Sequence, residues 1–426
     1  MAETRSLTRP SSRLLRWLDA PPLSPRQWRV LLALGVANLI DNYDGALLGM
    51  ALPQIQAGLQ VPEAEVGSLL ASVRLGVIPA VALAILADQI GRRRLLLATI
   101  IGFTLATFAT ALAPDARSFV IVQFIARACI AAETMLAIVV IAEEFDARSR
   151  GWGIGMLGAL GAFGYGLASL IFSAVELLPF GWRALYGLGA LPLLLVAWLR
   201  RALEETERFT AHRAAHRRTH PLQPLRNLVR MYPGRMLALC AALLPFAFVT
   251  ETAMFFPSKF LQSVHGYAPR DIATMYLTIG VLGLLGNVVA GALGDRLGRK
   301  RVLITGLLAN AAAAAAFYNA DGWMVPLLWG VMVMTVTMIT VLFAALGSEL
   351  FPTSYRSTAS GVRAIVGTIG AATGLWLEGV LFGHYGSHAA AITTMLVVAP
   401  LAPLIIGLAV PETANRELEE ISPERE

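Results

Sequence analysis

"GALGDRLGRKRVLI", residues 291–304, repeats an earlier stretch of the same chain, "AILADQIGRRRLLL", residues 84–97. Each copy ends one apolar segment with an aspartate, Asp88 or Asp295, and opens the next after a glycine and a run of basic residues. The two aspartates are 207 positions apart in the numbering. A repeated connection of this kind indicates that two parts of the chain have the same organisation.

Two further pairs of segments have almost the same offset. "EEFDARSRG" (143–151) matches "ELFPTSYRS" (349–357), and "LEET" (203–206) matches "VPET" (410–413). The first pair is offset by 206 residues and the second by 207. The chain is therefore predicted to be a duplicated unit.

The composition is that of a membrane protein. Hydrophobic residues make up 56% of the 426 residues and charged residues only 15%, against roughly 25% charged in a soluble domain. Apolar runs of the length that crosses a bilayer, about 20 residues, recur along the chain. They predict twelve helices, near 29–53, 65–87, 95–113, 118–142, 152–174, 184–203, 236–262, 271–294, 302–320, 324–348, 358–382 and 389–410.

The basic residues set the orientation of these helices. Of the 34 Lys and Arg residues, the predicted outside segments hold only Arg117, Arg183, Lys259 and Arg270, so both termini are expected in the cytoplasm. Because each unit has six helices, both enter the membrane in the same direction, which is a parallel repeat. The expected divisions are a tail (1–28), a six-helix bundle (29–203), a central loop (204–235), a second bundle (236–410) and a tail (411–426).

The doubled loop resembles the signature of the major facilitator superfamily, G-x-x-x-D-R-x-G-R-[RK]. The second copy matches fully, at Gly291, Asp295, Arg296, Gly298, Arg299 and Lys300. The first copy has Ala84 for the leading glycine and Gln89 for the first arginine. The resemblance covers residues 29–413. It implies an all-α membrane protein whose two bundles provide alternating access to a central site.

Asp88 and Asp295 are predicted to end helices, where the helix dipole disfavours a carboxylate. They therefore need a basic neighbour or the N-terminus of another helix, and such contacts can lock the cytoplasmic side in one state. The alternative is that the arginines only enforce the topology. The predicted gating residues are Asp88, Arg92, Arg93, Glu143, Arg150, Asp295, Arg296, Arg299, Glu349 and Arg356.

Ionisable residues inside a membrane are costly, so each is a candidate functional residue. Asp41, Asp44, Arg74, Arg127, Glu133 and Glu251 lie within predicted helices 1, 2, 4 and 7. Counted from the helix ends at ~1.5 Å per residue, Asp44, both arginines and Glu251 fall at one level near the midplane, and Asp41 and Glu133 lie deeper. Arg363 and Glu378 lie near the ends of helix 11, where a side chain reaches water by snorkelling.

Two roles are expected in this layer. Asp44 and Glu133, with Asp41 in support, are the candidates for proton coupling, because burial favours the neutral form of a carboxyl group. The candidates for substrate binding are Arg74, Arg127, Tyr43, Glu251, Asn287 and Tyr276. The alternative is a static set of ion pairs that only holds helices 1, 2 and 4 together.

The sequence of helix 1 narrows the resemblance to particular branches of the superfamily. "DNYDGALLGMALP" (41–53) is similar to the pattern D-[GA]-[FY]-D-x(4)-G-x(3)-P of bacterial metabolite:proton and aromatic-acid:proton symporters. Helix 4 is similar to the metabolite:proton branch at Glu133, Glu143, Arg148, Arg150 and Gly151. It departs where Gln123 replaces an arginine and Arg127 replaces a glycine.

The resulting expectation is a bacterial inner-membrane transporter that imports a small organic anion, a carboxylate metabolite or aromatic acid, with protons. It is expected to be a monomer that needs no cofactor, metal or nucleic acid and is no enzyme. One alternative is a proton-driven exporter of drugs or metabolites. Another is a transporter-like sensor that moves nothing. His212, His216 and His220 in the central loop fit a basic amphipathic helix on anionic lipid better than a metal site.

Overall fold

The fold of the described residues is entirely helical. The computed structural model describes residues 21–146, 149–200, 223–352 and 355–414. Its N-terminal helices are α1 (Pro25–Met50), α2 (Leu52–Leu59), α3 (Glu63–Arg74), α4 (Val77–Ile90), α5 (Arg92–Ala111), α6 (Ala116–Glu144), α7 (Arg150–Phe172) and α8 (Trp182–Arg200). Those that follow are α9 (Gln223–Met231), α10 (Pro233–Phe255), α11 (Pro257–Ser263), α12 (Pro269–Leu297), α13 (Arg299–Phe317), α14 (Met324–Glu349), α15 (Arg356–Tyr385), α16 (His388–Met395) and α17 (Leu401–Ala409).

These helices make twelve passes across the predicted membrane. Ten helical segments among the described residues are long and apolar enough to span a bilayer, and α1 and α8 complete the predicted order. Three passes consist of two consecutive helices, α3 with α4, α10 with α11, and α16 with α17. The predicted all-α fold of twelve transmembrane helices in two bundles is confirmed.

Local sequence explains where several helices begin. Ser24 and Gln27 form a capping box at the start of α1, with Pro25 in its first turn, where the missing N–H costs nothing. Asp115 and Ser118 form the same motif at the start of α6. The Ser118 N–H donates to Asp115 Oδ1 over 2.8 Å, and this hydrogen bond holds the pKa of Asp115 below its usual value.

The repeated loop folds in the same way in both halves. Gly91 and Gly298 have φ angles of 108° and 101°, a region that favours glycine because it has no Cβ. Each glycine separates two helices, α4 from α5 and α12 from α13. Glycine at these two equivalent positions therefore allows the abrupt reversal that the doubled sequence predicts.

Buried apolar clusters distinguish the two ends of the molecule. One cluster joins residues of both halves, for example Leu47 and Phe172 with Phe256 and Leu375, near the outer ends of the helices. Near the cytoplasmic ends there are two clusters. One, of 12 fully buried residues including Leu34, Leu96 and Phe145, belongs to the N-terminal half. The other belongs to the C-terminal half and contains Leu239, Leu303, Phe343, Phe351 and Ile406.

The predicted tails and central loop are described only in part. Helix α1 begins four residues before the predicted first span, and α9 lies inside the predicted loop at 204–235. Leu228 of α9 is fully buried against the C-terminal half. Residues 1–20, 201–222 and 415–426, and with them the three central-loop histidines, lie outside the described residues. These domain boundaries stay predictions.

Candidate functional site between the two halves

An ion pair joins the two halves in the middle of the molecule. Arg74, the last residue of α3, places Nη2 2.8 Å from Oε2 of Glu251 in α10. Their side chains are 28% and 38% exposed, although both helices are packed into the bundle. The pair therefore lines an open space between the halves. The sequence predicted both residues at this level, but not that Arg74 reaches the opposite half.

Asp44 is the most enclosed carboxylate of this layer. It is fully buried, and its Oδ1 lies 3.5 Å from Thr107 Oγ1 of α5. The guanidinium of Arg127 in α6 interacts with it electrostatically. Arg127 passes beside the next residue of α1, since a Cβ on Gly45 would lie 3.4 Å from Arg127 Nη1. The structure thus brings together the predicted proton carrier and one predicted substrate-binding arginine.

Asp41 and Glu133 form the deeper part of the same layer. Asp41 is 3% exposed and Glu133 is 1% exposed. Both interact electrostatically with the thiol of Cys129 in α6, which places them around one point between α1 and α6. Burial and proximity agree with the predicted supporting role, and their part in proton transfer stays a prediction.

A break in the second transmembrane pass, between α3 and α4, lets α6 approach that pass closely. Helix α3 ends at Arg74 and α4 begins at Val77. Gly76 lies in this break, where a Cβ would lie 3.0 Å from the Cβ of Arg127 and would also meet the Phe124 carbonyl. Only a residue without a side chain allows this approach, so the break aligns Arg74 and Arg127 at the same depth.

Aromatic rings extend the site toward the outer side. Tyr165 of α7 and Tyr276 of α12 belong to opposite halves, and their rings are parallel to within 7° with centroids 6.5 Å apart. Trp329 of α14 supports Tyr276 at 5.1 Å. Tyr165 interacts electrostatically with Arg127 and Glu251. The sequence predicted Tyr276 here but missed Tyr165, which sits in a glycine-rich segment that pointed only to close packing.

Two other predicted substrate contacts lie apart from the Arg74–Glu251 pair. Tyr43 is 2% exposed, and its hydroxyl donates to the Leu185 carbonyl over 2.8 Å. It packs α1 against α8 within one half, because successive residues of an α-helix point in directions about 100° apart. Asn287 is exposed on α12 but follows Tyr276 by 11 positions, so it lies about 16 Å closer to the cytoplasm. The substrate-binding roles of both residues stay predictions.

The charged residues at the cytoplasmic ends pair within each half. Arg92 pairs with Glu143, and the equivalent Arg299 pairs with Glu349. Arg299 also lies 3.4 Å from Asp295. These pairs follow the 206- and 207-residue offsets of the sequence, so the two-fold repeat extends to its ion pairs.

The other predicted gating residues surround these pairs. Arg150 begins α7, and the equivalent Arg356 begins α15 and donates from Nε to the Phe351 carbonyl over 3.3 Å. Arg93 and Arg296 lie at exposed positions. The side chain of Asp88 lies outside the described residues. A gating role for the whole set stays a prediction.

Glu412, in the segment "VPET", caps the N-terminus of α13. Its Oε1 accepts the Arg299 N–H over 2.9 Å, and its Oε2 accepts the Lys300 N–H over 3.2 Å. A carboxylate is stabilised at a helix N-terminus, so this repeated segment ties the chain after α17 to the start of α13.

Glu378 overturns one prediction from the sequence. It was expected to reach water near the end of its helix, but its side chain is fully buried and lies 2.5 Å from His388 Nδ1. Nearby, Gln54 Nε2 donates to Gln262 Oε1 over 2.7 Å, and Ser258 Oγ donates to the Met50 carbonyl over 2.6 Å. These last two hydrogen bonds join the halves at their outer ends.

The outer side of the central space is therefore closed. The shared apolar cluster and the hydrogen bonds between halves lie outside the level of Arg74 and Glu251. The described cytoplasmic ion pairs Arg92–Glu143 and Arg299–Glu349 each stay within one half. A space lined by a partly exposed ion pair and covered on the outer side faces the cytoplasm.

Comparison with known proteins identifies the architecture. A family model described as Major Facilitator Superfamily matches residues 34–289 and 237–424. The chain belongs to the major facilitator superfamily. It is a multi-pass membrane transporter, and the resemblance that the doubled loop predicted is confirmed.

Among its relatives is a "Probable 4-methylmuconolactone transporter" of Cupriavidus pinatubonensis, 29% identical over 93% of this chain and 94% of that protein. The "4-hydroxybenzoate transporter PcaK" of Pseudomonas aeruginosa is 24% identical over 92% and 94% of the two chains. Among solved structures, the xylose transporter XylE from E. coli in its inward-open conformation has a TM-score of 0.74 at 19% identity, covering 93% and 99% of the two chains. This structural likeness supports the fold.

Proposed function

We propose that this transporter imports small organic anions, aromatic carboxylates among them, together with protons. The observation that carries the proposal is the fully buried Asp44 beside Arg127, in a layer that faces the Arg74–Glu251 pair of the two halves. The names of two relatives, a 4-hydroxybenzoate transporter and a 4-methylmuconolactone transporter, support a substrate of this class.

The two arginines favour an anion as substrate. Arg74 Nε and Arg127 Nη2 are buried and have no hydrogen-bond partner among the described residues. A buried donor on a guanidinium that lacks an acceptor is costly, and a carboxylate is the acceptor that matches its planar geometry. An anionic substrate that enters the space between the halves satisfies these donors. A cationic drug would leave them unsatisfied.

The aromatic rings favour a flat apolar body on that anion. Tyr165 and Tyr276 present parallel ring faces from the two halves, and Trp329 fixes the orientation of Tyr276. Aromatic pairs gain energy beyond the area they bury when their rings stack with an offset or meet edge to face. A carboxylate held by the arginines would place an attached ring against these side chains.

Proton coupling follows from competition for Arg127. A buried carboxylate is tolerated in its charged form only with a compensating partner. When Arg127 turns to the substrate carboxylate, Asp44 loses that compensation and binds a proton. Release of substrate to the cytoplasm returns Arg127 to Asp44, which then releases its proton. Substrate and proton are thereby moved in the same direction.

The orientation of the transporter in the membrane and its oligomeric state are part of the same proposal. The concentration of basic residues in the predicted cytoplasmic loops supports an orientation with both termini in the cytoplasm and a location in a bacterial inner membrane. Each polypeptide contains both halves and the complete polar layer, so one chain is sufficient for alternating access. A monomer with protons as the coupling ion, and without a further cofactor, accounts for the proposed cycle.

Uptake into proteoliposomes tests the coupling. Radiolabelled 4-hydroxybenzoate is the probe, with an inward-directed proton gradient or with unlabelled probe inside. Asp44→Asn is expected to lose gradient-driven accumulation by at least about tenfold and to retain exchange, because a neutral amide no longer depends on the proton. Asp321→Asn, which changes an exposed loop acid, is the matched control and is expected to behave as the wild type.

Full gradient-driven accumulation by Asp44→Asn would overturn the assignment of the proton to Asp44. Proton-driven efflux of a cationic probe, with no binding of 4-hydroxybenzoate, would favour the drug exporter. A protein that moves no probe and tolerates neutralisation of Asp44, Arg74 and Arg127 would favour the sensor. Thermal-shift screening of organic acids, sugars and cationic drugs at two pH values selects the probes for these assays.

A further inference from the structure

A second group of buried charges lies at the outer ends of the helices, away from the central layer. It consists of Glu63, the first residue of α3, with Lys259 of α11, Glu378 of α15 and His388 of α16. Glu63 belongs to the N-terminal half and the other three belong to the C-terminal half. We call these four residues the outer cluster.

Glu63 and Lys259 make contacts that cross between the halves. Glu63 Oε2 lies 2.7 Å from Lys259 Nζ and 3.2 Å from His388 Nε2. Lys259 also donates to Gln56 Oε1 of α2. Lys259 and His388 have side chains that are 3% and 9% exposed, whereas Glu63 is 47% exposed. The contact between halves is thus mostly buried but open to water at one edge.

His388 has an acidic oxygen at each ring nitrogen. Nδ1 lies 2.5 Å from Glu378 Oε1, and Nε2 lies 3.2 Å from Glu63 Oε2. A neutral imidazole carries one N–H only, so one of its nitrogens would turn a lone pair toward a carboxylate. The imidazolium donates from both nitrogens and satisfies both contacts. The geometry therefore fits the protonated ring.

The surroundings of the ring also fit a cation. The His388 ring stacks on Phe256 and on Phe382, with centroids 4.9 Å and 4.3 Å away and interplanar angles of 30° and 29°. Aromatic faces attract a positive charge. Tyr318 at the end of α13 also interacts with Glu378, but its hydroxyl donates to the Ala253 carbonyl over 2.6 Å.

With Glu63 and Glu378 both ionised, the charges of the outer cluster balance when His388 is protonated, because Lys259 supplies only one positive charge. An uncompensated buried charge is strongly unfavourable. Opening of the outer side separates Glu63 from Lys259 and His388, which leaves the imidazole with one carboxylate partner, Glu378, in place of two.

We propose that His388 is a second proton-binding site, separate from Asp44, and that a proton bound there locks the outer ends of the two halves together. Protonation from outside favours the closed state, and opening releases the proton. This site depends on alternating access but not on Asp44 as the coupling residue. It makes closure of the outer side responsive to external pH.

Distance measurements between outer loops test this site. Spin labels on Glu176→Cys and Asp321→Cys, in a full-length protein with Cys129→Ala and Cys240→Ala, report the separation of the halves in lipid nanodiscs. Lowering the pH from 8 to 5.5 is expected to raise the closed-to-open ratio, by at most about tenfold per pH unit for one proton. His388→Gln is expected to abolish this response, and His388→Arg to hold the closed state at every pH.

Two further variants separate the possible outcomes. Asp44→Asn is expected to keep the pH response, which distinguishes this site from the proposed coupling residue. Glu63→Gln, a change at a half-exposed position, is expected to weaken the response even if a His388 variant is poorly folded. An unchanged ratio between pH 8 and 5.5 in the wild type, or a full response in a folded His388→Gln protein, would overturn the proposal.

Discussion

The outer and cytoplasmic ends of this transporter are held together in different ways. At the outer ends, one apolar cluster contains residues of both halves, and Glu63, Ser258 and Gln262 take part in polar contacts between them. At the cytoplasmic ends, the two apolar clusters each belong to one half. The described ion pairs of Arg92 and Arg299 stay within a half as well.

This difference distinguishes contacts that stabilise the fold from contacts that determine which side of the transporter is open. Contacts within a half persist when the halves move as rigid bodies, so they contribute to the stability of every state. Contacts between the halves exist only while one side is closed, so they set the balance between states. A substitution at the outer ends is therefore expected to change this balance, and one at the cytoplasmic pairs to change the unfolding temperature.

The largest effect is expected from Gly67→Leu. Gly67 of α3 packs against the backbone of α15, and a Cβ there would lie 2.7 Å from the Gly379 nitrogen and would also meet the Leu375 carbonyl. Overpacking of this kind costs about 1–3 kcal/mol, and only the closed outer state has it. Labelling of a Ser258→Cys reporter by an impermeant maleimide is expected to rise roughly tenfold.

Gly155→Leu is the matched control for that experiment. Gly155 lies near the cytoplasmic end of α7 and has open space where its Cβ would be. Its substitution is expected to leave the outer reporter protected. Equal labelling in wild type and Gly67→Leu, with Cys129 and Cys240 replaced by alanine in both, would contradict the assignment of the outer ends as closed.

An intermediate effect is expected from Glu349→Gln. The Arg299 and Glu349 side chains are only 22% and 13% exposed, and loss of a charged hydrogen bond costs about 1.5–3 kcal/mol. The thermal midpoint in detergent is expected to fall by roughly 3–10 °C, with no change in labelling at Ser258→Cys. Increased outer labelling without a fall in the midpoint would show that this pair acts between states.

The smallest effect is expected from Asp115→Ala, which removes the cap of α6 at the outer surface. Asp115 has a lowered pKa in the folded protein, so its stabilising contribution is present at neutral pH and is lost as the pH falls through that folded-state pKa. The thermal midpoint of the variant is expected to be lower by at most about 3 °C at pH 7. The difference is expected to vanish in strong acid.

Asp321→Asn is the control, because it changes an exposed outer acid that lies outside the capping motif. A difference between Asp115→Ala and wild type that grows on acidification would contradict the assigned direction of the pKa shift.

Much of the fold could be predicted from the sequence, because its strongest signals are local. The lengths of the apolar runs, the basic residues of the loops and the glycine before Arg92 and Arg299 are each features of a few neighbouring residues, so they can be recognised in the sequence. The central layer was also predictable in depth, since residues on neighbouring passes at equal distance from their ends meet at one level. Asp44, Arg74, Arg127 and Glu251 were placed by this reasoning.

The partners of these residues could not be predicted in the same way. Depth does not determine the direction in which a side chain points around its helix, so the contact of Tyr43 with α8 was not foreseen and Tyr165 was missed. Glu378 is seven residues from the end of α15, a position compatible with water. Glu378 is instead buried against His388, whose ring stacks on Phe256 and Phe382.

The depths of the two proposed proton-binding groups, Asp44 and His388, have an electrical consequence. The membrane potential acts on a charge in proportion to the fraction of the field it crosses, roughly 2.3 kcal/mol per 100 mV for a complete crossing. A proton that binds at Asp44 from outside crosses a substantial part of that field. A proton that binds at His388 crosses almost none. If Asp44 and His388 bind protons as proposed, voltage acts on occupancy of the central carboxylate, and the acidity of the medium alone acts on the histidine.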